Sequence, residues 1–302
     1  MISQQISLFD VYIDNEKKHI TNKTKPKTIQ GKSLIATPIK QFGVLGHSHM
    51  QTLRRRLRKD IKGIVFCDVF CGDGVNRISS DYVVDGSPIS IIKGYEKASN
   101  SGQIGVHENG DMFIFSDIRQ DALDSLKYMI PEHLTDKCFL MKNDAGTQIE
   151  ELHDFLIKNP GYECTLFVDP NGPKEFPYKQ LIKISEDYRL KKRLDIVIHI
   201  SATTYKRCIG AAHTDNKKLQ FDDWLFGIEH LGNDFIMKIA SGREGWVREP
   251  LKGDGDQWTI ISFFGYPPRN DWNKQGYVKI DSEEGENAIY HYSTTNKQKG
   301  IK

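Results

Sequence analysis

The sequence predicts an α/β protein built on an open, mostly parallel sheet with helices on both faces. Three observations predict it. Five apolar runs, starting at Ile64, Met112, Cys138, Cys164 and Leu194, alternate with helical patterns over residues 64–200, the order of a parallel sheet with crossover helices. The runs are near-continuous rather than alternating, as in strands buried on both faces. Two later strand patterns, Gln257–Phe264 and the weaker Tyr277–Ile280, flank Pro267-Pro268 and predict an antiparallel hairpin at one edge of the sheet.

Composition bounds the rest. The chain has 302 residues, 38% hydrophobic and 27% charged, enough to bury a sizeable core. Its net charge of +2 demands neither a nucleic acid nor a membrane as partner. No run approaches the roughly 18 apolar residues of a spanning helix. The N-terminus lacks the basic start and apolar core of a secretory signal. The 5 cysteines fall mostly inside apolar runs, which predicts reduced, buried thiols in a cytoplasmic protein. Cys67 and Cys71 have no matching pair or histidine nearby, so no metal site is expected. Residues 1–44 read as a polar N-terminal arm with one short element at Ile6–Ile13, residues 45–285 as the α/β domain, and residues 286–302 as a flexible tail.

Along the chain, residues 47–60 predict a helix with Met50, Leu53 and Leu57 as its apolar stripe. Its other face carries Arg54, Arg55, Arg56, Arg58 and Lys59. Those side chains make either a solvated, acid-paired face or a phosphate-binding one, since guanidinium groups suit phosphate oxygens. Gly63–Gly74 follows: a strand ending in Asp68, then Gly72 and Gly74, which allow a tight turn whose backbone N–H groups face a ligand. No GxxxxGK[ST] is present, and GxGxxG lacks its third glycine, so neither a P-loop nor a dinucleotide site of the NAD type is supported. Val75–Asp85 is a polar segment. Ser87 before Pro88 reads as the N-cap of a helix over Ile89–Lys97.

The next strand, Met112–Phe115, ends at Ser116-Asp117 and leads to a helix over Arg119–Met129. Cys138–Met141 ends near Asp144, with a helix over Thr147–Ile157. The fourth strand, Cys164–Val168, ends in Asp169-Pro170-Asn171-Gly172, with a helix over Phe176–Ser185. The fifth, Leu194–Ile200, carries His199 near its end. Short helices are expected at Asp222–Phe226 and Asp234–Ala240, and a glycine-rich loop over Ser241–Asp256.

Right-handed crossovers bring all these strand ends to one edge. Asp68, Asp117, Asp144, Asp169 and His199 then line it, and a run of carboxylates is hard to assign to packing because burial would cost desolvation. Glycines that admit a ligand, an acid for a ribose and a polar group near a base are the needs of a nucleoside cofactor. S-adenosylmethionine suits the set better than NAD: it has no pyrophosphate to cradle, and its cationic sulfonium is favoured by nearby carboxylates such as Asp68.

Cys67-Asp-Val-Phe-Cys-Gly-Asp-Gly74, Asp85-Gly-Ser-Pro88, Leu166-Phe-Val-Asp-Pro-Asn-Gly172 and the stretch from Trp246-Val-Arg-Glu-Pro250 to Gln257-Trp258 together resemble the three-Cys-motif partner proteins. That family is similar to class I S-adenosylmethionine-dependent methyltransferases. The resemblance covers roughly residues 45–285 and implies a seven-stranded Rossmann-like sheet with an antiparallel C-terminal hairpin. It implies that Gly72 and Gly74 border the methionine part of the cofactor, Asp117 the ribose and Asp144 the adenine; Asp68, Phe70, Ile118 and Ala145 beside them are expected to bind the cofactor too. The family's name refers to a neighbouring protein, so a protein partner encoded alongside is implied too. Amino methyltransferases carry a [D/N/S]-P-P-[Y/F] tetrapeptide at the fourth strand's end. Asp169 and Pro170 match its first half, while Asn171 and Gly172 depart from it, and Phe176 and Tyr178 are the nearest aromatics.

The expectation is a methyltransferase acting on nucleic acid. Asp169, Pro170, Asn171 and His199 would serve the chemistry. Arg54, Arg55, Arg58 and Lys59 would meet phosphates, and Phe176 and Tyr178 a base. The competing expectations are a non-catalytic partner or sensor subunit that keeps the fold, and another nucleotide-using enzyme on it.

Overall fold

A computed structural model describes residues 36–56, 58, 60–78, 80–100, 110–170, 175–201, 241–248, 251–253, 256–265 and 277–285. The expected arm element Ile6–Ile13, the helices at 222–226 and 234–240, the tail, and the side chains of Arg54, Arg55, Lys59 and Asn171 lie outside the described residues.

Among the described residues the main sheet has nine strands. In chain order these are β1 (Gly63–Asp68), β4 (Met112–Ser116), β5 (Cys138–Met141), β6 (Tyr162–Val168), β7 (Leu194–Ser201), β8 (Glu244–Arg248), β9 (Leu251–Gly253), β10 (Asp256–Phe264) and β11 (Tyr277–Lys279). Their order across the sheet is β5-β4-β1-β6-β7-β10-β8-β11, with β9 on β10. Strands β5, β4, β1, β6 and β7 pair in parallel. Strand β10 is antiparallel to both β7 and β8. A separate two-stranded hairpin, β2 (Val75–Arg77) with β3 (Val83–Asp85), follows β1. The fold is therefore the expected α/β sheet, mostly parallel, with its antiparallel strands at the C-terminal edge.

The continuous apolar runs have the expected cause. In β1, Val65 and Cys67 face a core formed with Ile149, Leu152 and Leu156 of α4 (Ala145–Lys158) and Leu181 and Ile184 of α5 (Tyr178–Glu186). Ile64 and Phe66 face the opposite core, with Ile91 and Tyr95 of α2 (Ser87–Ser99) and Leu123 and Leu126 of α3 (Gln120–Lys127). Phe66, Phe113 and Phe115 on that face are fully buried, and each contributes roughly 1.5–3 kcal/mol by leaving water.

Helix α1 (Ala36–Arg56) starts well before the expected position 47. Pro38 falls in its first turn, where no intrahelical N–H bond is lost. The helix lies on α2, where Ser48 Oγ donates to Ile91 O at 2.8 Å. A Cβ at Gly94 would overlap Ser48 Oγ, so glycine is what permits this approach. His47 ties α1 to the sheet. Its Nδ1 lies 2.9 Å from Gly43 O and its Nε2 2.9 Å from Ser262 Oγ. A carbonyl only accepts, so Nδ1 carries the proton and Nε2 accepts from the serine.

Three expectations are corrected. The N-cap of α2 is Gly86, with no side-chain cap, and Ser87 is already helical; the hydrogen bond from Gly86 N–H to Gly74 O at 2.7 Å fixes where the helix begins. In the span Ser241–Asp256, expected as a loop, the described residues supply β8 and β9. The late strands β10 and β11 do not pair with each other, because β8 lies between them. Trp246 and Val247 of β8 are buried, which their charged neighbours Glu244 and Arg248 conceal in the sequence. The described residues thus give the sheet nine strands where seven were implied.

Candidate functional site

Strand β1 has β4 on one side and β6 on the other. The chain moves outward through β4 and β5, then returns to start the other half at β6. This is the switch point where open α/β sheets leave a crevice at the strand carboxyl ends. Every residue expected at the strand ends that the structure describes is brought to this edge.

The glycine turn leaves β1 through a series of backbone bonds. Asp68 is fully buried, and its Oδ1 accepts from Phe70 N–H at 3.0 Å, an Asx turn that bends the chain out of the strand. Cys71 N–H donates to Ser116 O at 3.0 Å. Gly72 and Gly74 have φ of +61° and +84°, the left-handed region that glycine enters without strain. Their surroundings differ. A Cβ on Gly72 would meet nothing within 4 Å, whereas one on Gly74 would lie 2.9 Å from both Leu126 Cδ1 and Met129 Sδ. Gly72 borders open space, while Gly74 is a packing position against α3 and the turn after it.

Asp117 joins the turn to β4. Its Oδ2 accepts from Gly72 N–H at 3.1 Å and its Oδ1 from Arg119 N–H at 2.9 Å. Ile118 beside it is 64% exposed, an apolar surface at the lip of the crevice. Asp144 caps α4: Oδ1 accepts from Thr147 N–H at 3.0 Å and Oδ2 from Thr147 Oγ1 at 2.6 Å. Those bonds hold its carboxyl below its ordinary range. Ala145 is buried under that cap.

Across the crevice, Asp169 follows β6 and His199 sits in the neighbouring β7. Asp169 Oδ2 is 3.7 Å from His199 Nδ1, the imidazole almost fully buried and the carboxylate 17% exposed. Pro170 is buried. Phe176 and Tyr178, expected to meet a base, are buried in the core beside Val69, Ala145 and Val168. Arg58 is at the opposite edge, paired with Asp60 and with the buried Glu163 near the amino end of β6.

One feature escaped the sequence. The polar segment after Gly74 is the hairpin β2–β3, where Arg77 pairs with Asp73 of the glycine turn at 2.8 Å; only Val75, Val83 and Val84 hinted at strands there. Cys71 is buried within the turn, and burial, then the carboxylates of Asp68 and Asp117, push its thiol far up, so it is a neutral packing group rather than a nucleophile. Among the described residues, no group of three His, Cys, Asp or Glu side chains could hold a metal ion, and no helix is long and apolar enough to cross a membrane.

No family model matches this chain, and no curated protein matches it. Solved structures do. The O-methyltransferase from Bacillus cereus in complex with SAH is 12% identical, over 87% of this chain and 93% of that one, with a TM-score of 0.43. An rRNA methylase from Streptococcus thermophilus is 9% identical, over 72% of this chain and 95% of that one, at 0.34. A probable spermidine synthase from Corynebacterium glutamicum is 10% identical, over 83% and 70%, at 0.40. The fold assignment itself rests on the strand order and pairing described above.

Proposed function

We propose that this chain is an S-adenosylmethionine-dependent methyltransferase acting on nucleic acid, with residues 45–285 as its working domain. The observation that carries the reading is the left-handed Gly72, open on its Cβ side and tied to Asp117 at the switch point of the sheet. The residues present fit the cofactor. Gly72 leaves room for the amino-acid end. Asp117 offers acceptors to the ribose hydroxyls, Ile118 an apolar face to the adenine, and Asp144 acceptor capacity beyond its cap to the adenine amino group. Asp68 and Asp117 favour a cationic centre nearby. When bound, S-adenosylmethionine supplies an electrophilic methyl group.

The chain's own chemistry then centres on Asp169. Its carboxylate accepts a hydrogen bond from the N–H or O–H of the acceptor and so orients the lone pair, the positioning on which an in-line displacement depends. A proton taken up there has the His199 imidazole 3.7 Å behind it. Arg54, Arg55 and Lys59 are the phosphate contacts in this reading. Arg58 is left out of it, because its guanidinium is engaged by Asp60 and Glu163.

Calorimetry with S-adenosylmethionine tests the reading. Wild type and Asp169→Ala are expected to bind alike, Asp117→Ala at least about tenfold more weakly, a difference of about 1.4 kcal/mol. Absence of binding at millimolar cofactor refutes the proposal. Labelled-methyl transfer to total RNA or DNA, lost in Asp169→Ala, tests the chemistry, and loss of its steep salt dependence in an Arg54/Arg55/Lys59 triple variant tests the nucleic acid.

One observation favours a second reading, a cofactor-binding partner subunit without catalysis. The aromatics nearest Asp169 in sequence, Phe176 and Tyr178, belong to the core rather than to the crevice. Cofactor binding without transfer to RNA, DNA or protein would select it.

A further inference from the structure

Asp117 holds the glycine turn in shape before any ligand contact is considered. Its Oδ2 accepts from Gly72 N–H at 3.1 Å, and its Oδ1 accepts from Arg119 N–H at 2.9 Å with Arg119 Nε 3.6 Å away. One residue earlier, Cys71 N–H bonds Ser116 O at 3.0 Å. Two successive amides of the turn are therefore fastened to the end of β4, one through the backbone and one through a carboxylate. The Asp117 side chain is only 14% exposed, so its bond to Gly72 is shielded and charge-assisted, the stronger class of hydrogen bond.

The acceptor count matters. A carboxylate has about four lone-pair sites. The bonds to Gly72 and Arg119 use one on each oxygen, which leaves one on each for a ligand. That residue of capacity suits a pair of neighbouring hydroxyls. Using it does not require the turn to be released.

We propose that Asp117 is a positioning residue for the amino-acid end of the site as well as the acceptor for the ribose. One side chain sets the Gly72 conformation and reads the sugar, so the two ends of the crevice are coupled through it. The inference rests on the cofactor reading above for its ligands, but its first consequence does not.

That consequence is measured by NMR amide exchange on wild type and Asp117→Ala with nothing added. Exchange at Gly72 is expected to speed up about tenfold or more, while Ile198 in the sheet centre stays unchanged as a control for folding. Equal exchange at Gly72 overturns the proposal even if S-adenosylmethionine binds. The second arm compares S-adenosylhomocysteine with adenosine, which has the ribose but no amino-acid end. If Asp117 served the ribose alone, the Ala variant would weaken both ligands by the same factor. Coupling predicts a further loss of about tenfold for S-adenosylhomocysteine, within the range of ordinary site coupling.

Asp117→Asn, which keeps an oxygen for Gly72 N–H, is expected to restore the affinity ratio and Gly72 protection while still weakening both ligands. It also serves if the Ala variant does not fold. An Asn variant that rescues neither overturns the proposal. If wild type binds neither ligand, the cofactor reading fails and takes the coupling with it, while the exchange result still judges the role of Asp117 in the turn.

Discussion

Gly72 and Gly74 stand two residues apart with the same backbone hand, yet alanine at each should fail in a different way. At Gly72, φ is +61° and an added Cβ meets nothing within 4 Å. The cost to stability is the left-handed conformation alone, roughly 1–2 kcal/mol. At Gly74, φ is +84° and the Cβ would lie 2.9 Å from Leu126 Cδ1 and Met129 Sδ and 3.4 Å from Ile89 Cγ1. The conformational cost is similar, and overpacking between α2 and α3 adds roughly 1–3 kcal/mol. With a urea m-value of about 3 kcal/mol/M, the Gly72→Ala midpoint should fall by about 0.3–0.7 M and the Gly74→Ala midpoint by about 0.7–1.7 M. Affinity for S-adenosylmethionine should show the reverse order. The Gly72 methyl fills the space assigned to the ligand and should weaken binding about tenfold to a hundredfold, or roughly 1.4–2.8 kcal/mol. Gly74→Ala, measured well below its midpoint, should bind within a few-fold of wild type. Urea melts and calorimetry on the two variants decide it. A Gly72→Ala protein that binds as well as wild type shows that the open side of the turn is not the ligand side. A Gly74→Ala protein no less stable than Gly72→Ala removes the division between site and packing.

Other outcomes follow from single contacts. Asp144→Ala removes the cap on Thr147 N–H and should lower stability by about 1 kcal/mol at neutral pH. The bonds from Thr147 hold its folded carboxyl below the ordinary value, so the charge-dependent part of that increment is fully present above the ordinary value and is lost as pH falls through the lower folded one; the stability difference between wild type and variant, read from melts, should shrink from pH 7 into the acid range. His47→Leu leaves the buried Ser262 hydroxyl without its acceptor and should cost about 1–3 kcal/mol, part of it recovered in the double variant with Ser262→Ala; additive losses would mean the two groups are not coupled. Ile118→Ser, at an exposed position, should leave the melting midpoint within about 0.5 kcal/mol of wild type yet weaken S-adenosylmethionine binding, and an unchanged affinity removes Ile118 from the adenine face.

The parallel half of the sheet was legible because physics leaves so distinct a trace there. A strand covered on both faces must be apolar at every position, and Ile64-Val65-Phe66-Cys67 divides between two cores in strict alternation. The antiparallel edge leaves a weaker trace. Glu244-Gly245-Trp246-Val247-Arg248 carries charges at both ends and a glycine inside, so it reads as a loop. Yet Gly245 is there because Ile280 occupies the space a Cβ would need. The early start of α1 was hidden for a similar reason: Pro38 and Gly43 look like breakers, but one sits in the first turn and the other inside a helix held by tertiary contacts. Local propensity lost to packing in both places.

The strand-end carboxylates are where sequence reasoning needed the most correction. Four acids along one edge looked too many for packing. The structure gives three of them backbone duties: Asp68 to Phe70, Asp117 to Gly72 and Arg119, Asp144 to Thr147. A strand that stops must satisfy the N–H groups of the turn after it, and a short carboxylate does so well, so acids at strand ends are expected with or without a ligand. What distinguishes a site residue is therefore capacity beyond that duty, together with access. Asp68 is fully buried, so it would act on a ligand only through its field and through the turn it bends. Asp144 has access, and its two bonds from Thr147 take one site on each oxygen, which leaves one on each. Asp117 keeps one acceptor site on each oxygen and bonds Gly72, where the backbone is open. Asp169 faces His199 from the adjacent strand. By this test the function proposed above keeps three of the four acids: Asp117 and Asp144 would hold a ligand, and Asp169 would act on what the ligand meets.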